Sequence, residues 1–285
     1  MPHELDRPLI VLAVVFGGVL ALVGLLTLLP RLGAAGRAVS GACTRAPTLD
    51  LVVSLFTWIP WALAAAFAGW GGFAAAFVGQ SLALLLWIAL HELANREHVR
   101  GPRIVRFLNR TVGRFRNHLA LWATVVALPA FLLVRAMEIV LYPALILLLG
   151  FPRQRQAEWI NVSRQKFEGL VGHDLIWCLY CDWMTGVYAL GGEMLRNVES
   201  FWCPIRFYDG KKCENCRIDF PDVAGAWVPA DGSMGDVVAT MERMYGDGQR
   251  TWFGHPARLT VNGMPVGTGS SGATRNSREQ AGECR

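Results

Sequence analysis

The chain predicts an all-α polytopic membrane bundle of four or five membrane segments. A small Cys-rich, mostly helical/irregular α+β domain is expected to follow it. Three observations carry this expectation. Of 285 residues, 53% are hydrophobic and only 17% charged, where soluble domains average about 25% charged. The long apolar runs crowd into residues 1–150. Five of the seven cysteines fall within 178–216, just after those runs.

The first run, residues 8–29, is longer than a signal-peptide core and is preceded by acids as well as a base, so it predicts a retained transmembrane helix. Ala13, Gly17 and Ala21 recur every fourth residue in it, the small-residue spacing that lets a second helix approach closely. A loop with Arg31, Arg37 and Arg45 follows. Residues 51–69 and 72–90 predict two further spans joined by an uncharged turn, Gly69-Trp70-Gly71-Gly72.

Residues 96–116 hold seven arginines. Within 102–117, Arg103, Arg106, Arg110 and Arg114 recur at helical spacing, with Ile104, Phe107, Leu108, Val112 and Phe115 on the remaining face. This is the pattern of a helix lying in the interface, its arginines reaching the anionic headgroups of the bilayer. The excess of arginine in 31–50 and 96–116 puts both segments on the cytoplasmic side.

Residues 119–150 are apolar but interrupted by Pro129, Arg135, Glu138 and Pro143. A single helix of that length would reach about 48 Å, too long for a simple span. The stretch is either one span plus an interfacial helix or two short segments. Arg135 and Glu138, three apart, form a candidate intramembrane pair, with an interface anchor as the preferred reading. The basic residues after Gly150 favour a return of the chain to the cytoplasm.

Residues 151–266 form the expected Cys-rich, membrane-proximal domain. One or two helices are predicted over 157–200, with Gly169, Gly172 and Gly191-Gly192 as the candidate breaks, then a short helix over 234–244 capped by Asp231 or Ser233, and a hairpin over 257–266 around Asn262-Gly263. The Gly-, Ser- and Thr-rich composition of 267–285 predicts a disordered tail. Glu193, Arg196, Asn197 and Ser200 follow helical spacing and read as a solvated face.

The cysteines carry the chemistry. Cys178 and Cys181 form one C-x2-C pair, Cys213 and Cys216 a second, and Cys203 lies between them. Paired thiolates at this spacing suit a four-ligand zinc site or an iron–sulfur cluster, with His173 able to replace one cysteine. On a helix, Cys178 and Cys181 share a stripe with Asp174 and Thr185. Such a protein would be a binding, assembly or electron-transfer subunit, with a membrane protein as its partner.

Two alternatives stand beside this. C-x-x-C also serves thiol–disulfide exchange. With several spans, Cys178-Leu179-Tyr180-Cys181 resembles the quinone-linked thiol oxidases of the vitamin K epoxide reductase and DsbB-like families. That resemblance covers four residues and a span count, and it implies a membrane thiol oxidoreductase. Here the pair comes after the main apolar block and is followed by Asp182, so no catalytic role carries over. The second alternative is a small transporter or channel, against which the sparse intramembrane charge argues. His91-Glu92-Leu93-Ala94-Asn95 lacks the second histidine of a zinc-protease helix and reads as the polar end of a span. No nucleic-acid-binding module, phosphate loop or nucleophile elbow is present, so the net charge of +5 reads as topology.

Overall fold

The computed structural model describes residues 2–151, 153–208, 210, 227–245, 260–261 and 264–265. It divides into two compact units. One comprises Met1–Leu141 and Gln154–Gly192, the other Tyr142–Arg153 and Glu193–Arg285.

The described residues are mostly helical. They form α1 (Pro2–Leu28), α2 (Gly33–Cys43), α3 (Thr48–Leu55), α4 (Trp58–Ala94), α5 (Arg96–Arg100), α6 (Ile104–Val112), α7 (Arg114–Ala123), α8 (Leu128–Leu149), α9 (Gln156–Trp159), α10 (Gly172–Trp202) and α11 (Met234–Tyr245). Three helical segments are long and apolar enough to cross a membrane: Asp6–Arg31, Trp58–Ala94 and Arg114–Leu149. This is fewer than the four or five segments expected. The third joins α7 to α8 through a 3-10 turn at Thr124–Ala127, where a break in 119–150 was expected.

Helix α4 is not straight. Ala68 leaves helical geometry and Gly69 takes φ +58°, a left-handed conformation that favours glycine. Trp61 packs edge-on to Phe73 and at a tilt against Phe77, at centroid distances of 6.0 and 5.8 Å. Twelve and sixteen residues of straight helix would separate those rings by roughly 18 and 24 Å. The Gln80 side chain likewise donates to the Phe56 carbonyl, 24 residues back. Helix α4 therefore folds back on itself at Gly69, in the turn the glycines predicted.

Helix α1 packs against both arms. Val11, Ala64 and Ala76 form a buried cluster, with Val15, Trp61, Ala68 and Ala75 around it. A Cβ on Gly71 would lie 3.5 Å from Pro8, and one on Gly79 would lie 2.7 Å from the Leu12 carbonyl. Pro8 thus faces Gly71 while Leu12 faces Gly79, so α1 and the second arm run in the same direction. The two basic segments leave from the same end, which agrees with the side the arginines assign them. Gly79, not Gly17, makes the close approach. Ala13, Gly17 and Ala21 are exposed, because Val11, Val15 and Val19 supply the packing face.

In the other unit, Tyr142, Phe151, Phe201 and Trp202 form an aromatic cluster. Glu193, Asn197 and Ser200 are buried, contrary to the solvated face expected of them. Asn197 Nδ2 donates to Tyr142 Oη at 2.7 Å, and the Ser200 hydroxyl donates to the Arg196 carbonyl at 2.8 Å. Helical spacing groups these residues on one face; the Tyr142 hydroxyl that meets Asn197 marks that face as an interior one. Arg196 lies over the Trp227 ring at 5.0 Å. Helix α11 begins at Ser233, whose N–H donates to Asp236 Oδ2 at 2.8 Å while Asp236 N–H donates back to the Ser233 hydroxyl at 3.3 Å.

Among the described residues the expected Cys-rich α+β domain is not borne out. Apart from isolated bridges, their strand pairing is confined to Thr260–Val261 against Met264–Pro265. That pairing falls in the expected hairpin. The second C-x2-C pair and the expected tail lie outside the described residues.

Candidate functional site

The first unit carries two buried ion-pair nodes, and both fasten α10. At the first node, Arg103 Nη2 donates to Glu92 Oε1 at 2.8 Å and Nε donates to Asp174 Oδ2 at 3.0 Å. Its guanidinium also donates to the Val171 carbonyl at 3.1 Å. The Val105 N–H donates to Asp174 Oδ1 at 3.0 Å, and the His173 N–H donates to Glu92 Oε1 at 3.1 Å. Gly172 takes φ +53° where α10 begins, and its N–H donates to His91 Nδ1 at 3.1 Å. Burial alone would push the Asp174 carboxyl up; His173 and the Arg103 guanidinium outweigh it and hold it below the ordinary carboxylate range.

Arg103 therefore departs from the exposed basic face expected of it, with only 6% of its side chain accessible. It sits just ahead of α6, where the chain turns inward, and two acids already wait there. Arg106, Arg110 and Arg114 remain exposed, alongside exposed Ile104, Phe107, Leu108 and Val112. Arg106 donates to the carbonyls of Val99, Arg100 and Gly101 as α5 ends.

At the second node, Arg135 donates from Nε and Nη2 to Asp50 Oδ2 at 3.0 and 2.6 Å. It donates from Nη1 to Glu138 Oε2 at 2.8 Å and from Nη2 to Gln156 Oε1 at 2.7 Å. Trp183 Nε1 donates to Asp50 Oδ1 at 3.3 Å. The expected Arg135–Glu138 pair is present and buried, but it belongs to a larger node. Asp50, Gln156 and Trp183 were not foreseen as members. Asp50 at the head of a span was the available signal, since a lone acid there calls for a partner.

The cysteines stand on α10 between these nodes. Asp174, Cys178, Cys181 and Thr185 follow one another at helical spacing, and Thr185 donates to the Cys181 carbonyl at 2.8 Å. Cys181 is exposed, Cys178 is half-buried, and both are free thiols. Asp182 accepts from the N–H groups of Ser163 and Arg164 at 2.7 and 3.2 Å, which pins the turn Arg164–Lys166 against α10. Burial pushes the Cys178 thiol up, and the nearby Arg164 guanidinium opposes that only in part.

His173 is not brought to this stripe. Five residues of α-helix carry it about 140° around from Cys178, and its ring packs on His118 at 5.0 Å. Cys203 is exposed and belongs to the other unit. Cys213 and Cys216 lie outside the described residues. Among the described residues no three His, Cys, Asp or Glu side chains converge as metal ligands. No protein-family model, curated protein or solved structure matches the chain.

Proposed function

We propose that this chain is an integral membrane protein that holds a cysteine-ligated metal, zinc or an iron–sulfur cluster, at its cytoplasmic face. Cys178, Cys181, Cys203, Cys213 and Cys216 are the ligand candidates. The protein serves there as a binding or assembly subunit, or as an electron-transfer subunit with iron–sulfur. The observation that carries the reading is the Arg103 node. It fastens Asp174, one turn before Cys178, to Glu92 at the end of α4. Both basic segments leave from that end, and positive charge marks the cytoplasmic side, where cysteines stay reduced and bind metal.

The Gly69 fold-back supports a count above three, because residues 70–94 alone reach the roughly 20 a crossing needs, while the first arm, 58–68, reaches that length together with α3, from which a break at Phe56–Thr57 separates it. Trp183 lies about 14 Å along α10 from Asp174 and bonds to Asp50 in the basic loop region. Two anchors on the same side support an α10 that runs along the membrane face, and a chain that returns within 119–150 rather than crossing. The exposed arginines of α6, beside its exposed apolar face, suit anionic headgroups.

Cys178 is a poor candidate for the attacking thiol of an exchange pair. A reactive cysteine needs a lowered pKa, whereas burial raises this one. A bound metal would displace the proton instead. The test is metal content per chain in detergent-purified protein prepared without oxygen. About one zinc, or iron with acid-labile sulfide, is expected in the parent and not in Cys181→Ser. A metal-free parent with a reversible disulfide would overturn the proposal in favour of the oxidoreductase reading.

A further inference from the structure

A cleft of about 570 Å³ opens where α1 ends, lined by Arg37, Ser40, Thr44, Arg45, Gln165 and Lys166, with Pro30 at its edge. Its volume lies within the range of small-ligand sites. Three of its lining residues are cations and none is acidic. Arg37, Arg45 and Lys166 are exposed and have no carboxylate partner among the described residues.

The cleft is a built feature, because two distant stretches of chain are clamped together to form it. Val162 N–H donates to the Thr44 carbonyl and Ala46 N–H to the Ile160 carbonyl, both at 2.9 Å, on either side of an Arg45–Asn161 bridge. Asp182 holds the turn that carries Gln165 and Lys166. The membrane-length segment ends at Arg31, so a crossing by that segment would put Pro30, and the cleft with it, at headgroup depth. Exposed Leu32, Val39 and Phe167 are its neighbours in sequence. Cations in a polar cleft, bordered by apolar side chains at the bilayer surface, match an amphiphile with an anionic head.

We propose that this cleft binds the phosphate headgroup of an anionic lipid, with Arg37, Arg45 and Lys166 on the phosphate and Ser40, Thr44 and Gln165 available to its hydroxyl or ester oxygens. The acyl chains lie along Leu32, Val39 and Phe167. This site is separate from the α6 surface and does not depend on the cysteine reading.

The test uses the full chain in neutral detergent, titrated with short-chain phosphatidylglycerol, phosphatidylcholine and glycerol 3-phosphate, and read by native mass spectrometry and thermophoresis. Phosphatidylglycerol is expected to bind best. Each of Arg37→Gln, Arg45→Gln and Lys166→Gln should weaken it about fivefold, and the triple variant about a hundredfold, from the worth of one basic residue near an anionic surface. Arg243→Gln on α11, an exposed cation outside both the cleft and α6, should change nothing, and an unchanged melting temperature in each variant shows that the fold is intact. Equal binding of phosphatidylcholine, or a triple variant within twofold of the parent, overturns the site. Glycerol 3-phosphate binding as tightly as the lipid overturns the lipid assignment and leaves a soluble phosphate ester as the ligand.

Discussion

Replacing Arg135 with methionine removes the one cation that the described residues supply to a node holding two carboxylates. The Arg135 side chain is 4% accessible and that of Glu138 is 2% accessible, so water cannot take over. Asp50 loses two donated bonds, Glu138 loses one and Gln156 loses one. Breaking a buried ion pair from one side costs about 3–5 kcal/mol, because the remaining charge is left uncompensated. Against a typical stability of about 5–15 kcal/mol, that is a large share of the whole. The assay is helix loss by circular dichroism during titration with a denaturing detergent, comparing midpoints between variants. A second variant, Arg135→Met with Asp50→Asn and Glu138→Gln, removes all three charges and should recover at least half of the loss. If Arg135→Met unfolds within about 0.5 kcal/mol of the parent, or if the triple variant is no more stable than the single, the node does not hold the unit together by charge compensation.

Asp174 makes a pH prediction. Its folded carboxyl is held below its ordinary value of 3.8, so it contributes stability that is present above that value and is lost as pH falls through the lowered one. Asp174→Asn should cost about 1.5–3 kcal/mol at pH 7, from its charged hydrogen bonds, and the gap to the parent should close as the pH drops below about 4. A gap that is constant with pH would contradict the linkage. Cys178 makes a prediction about reactivity. In a chain whose other cysteines are serine, its alkylation by iodoacetamide at pH 8 should be slower than that of a free cysteine. Arg164→Gln should slow it further, because that cation favours the thiolate; faster alkylation in the variant would show that Arg164 does not act on the thiol.

The apolar, helical character of the long runs, the turn at Gly69, the Ser233 cap of α11 and the common end from which the two basic segments leave were legible in the sequence; the helix bounds were not, since the helix expected over 102–117 breaks at Gly113 and α10 begins only at Gly172. Each legible feature depends on neighbours in the chain or on a summed composition. The roles of individual polar residues were not legible. Arg103 belongs by spacing with Arg106, Arg110 and Arg114, yet it alone is turned inward on Glu92 and Asp174. Glu193, Asn197 and Ser200 form a polar stripe by periodicity, yet they are buried.

The chain by itself determined which segments are helical and apolar, where they reverse, and which residues share a face. Hydropathy and periodicity act over a few turns and are written locally. The tertiary structure alone decided what covers each face. Asp50 and Arg135 are 85 residues apart, and Arg103 and Asp174 are 71 apart. A charge in a low-dielectric interior must find an opposite charge wherever the fold brings one, and spacing along the chain cannot name a partner at that distance.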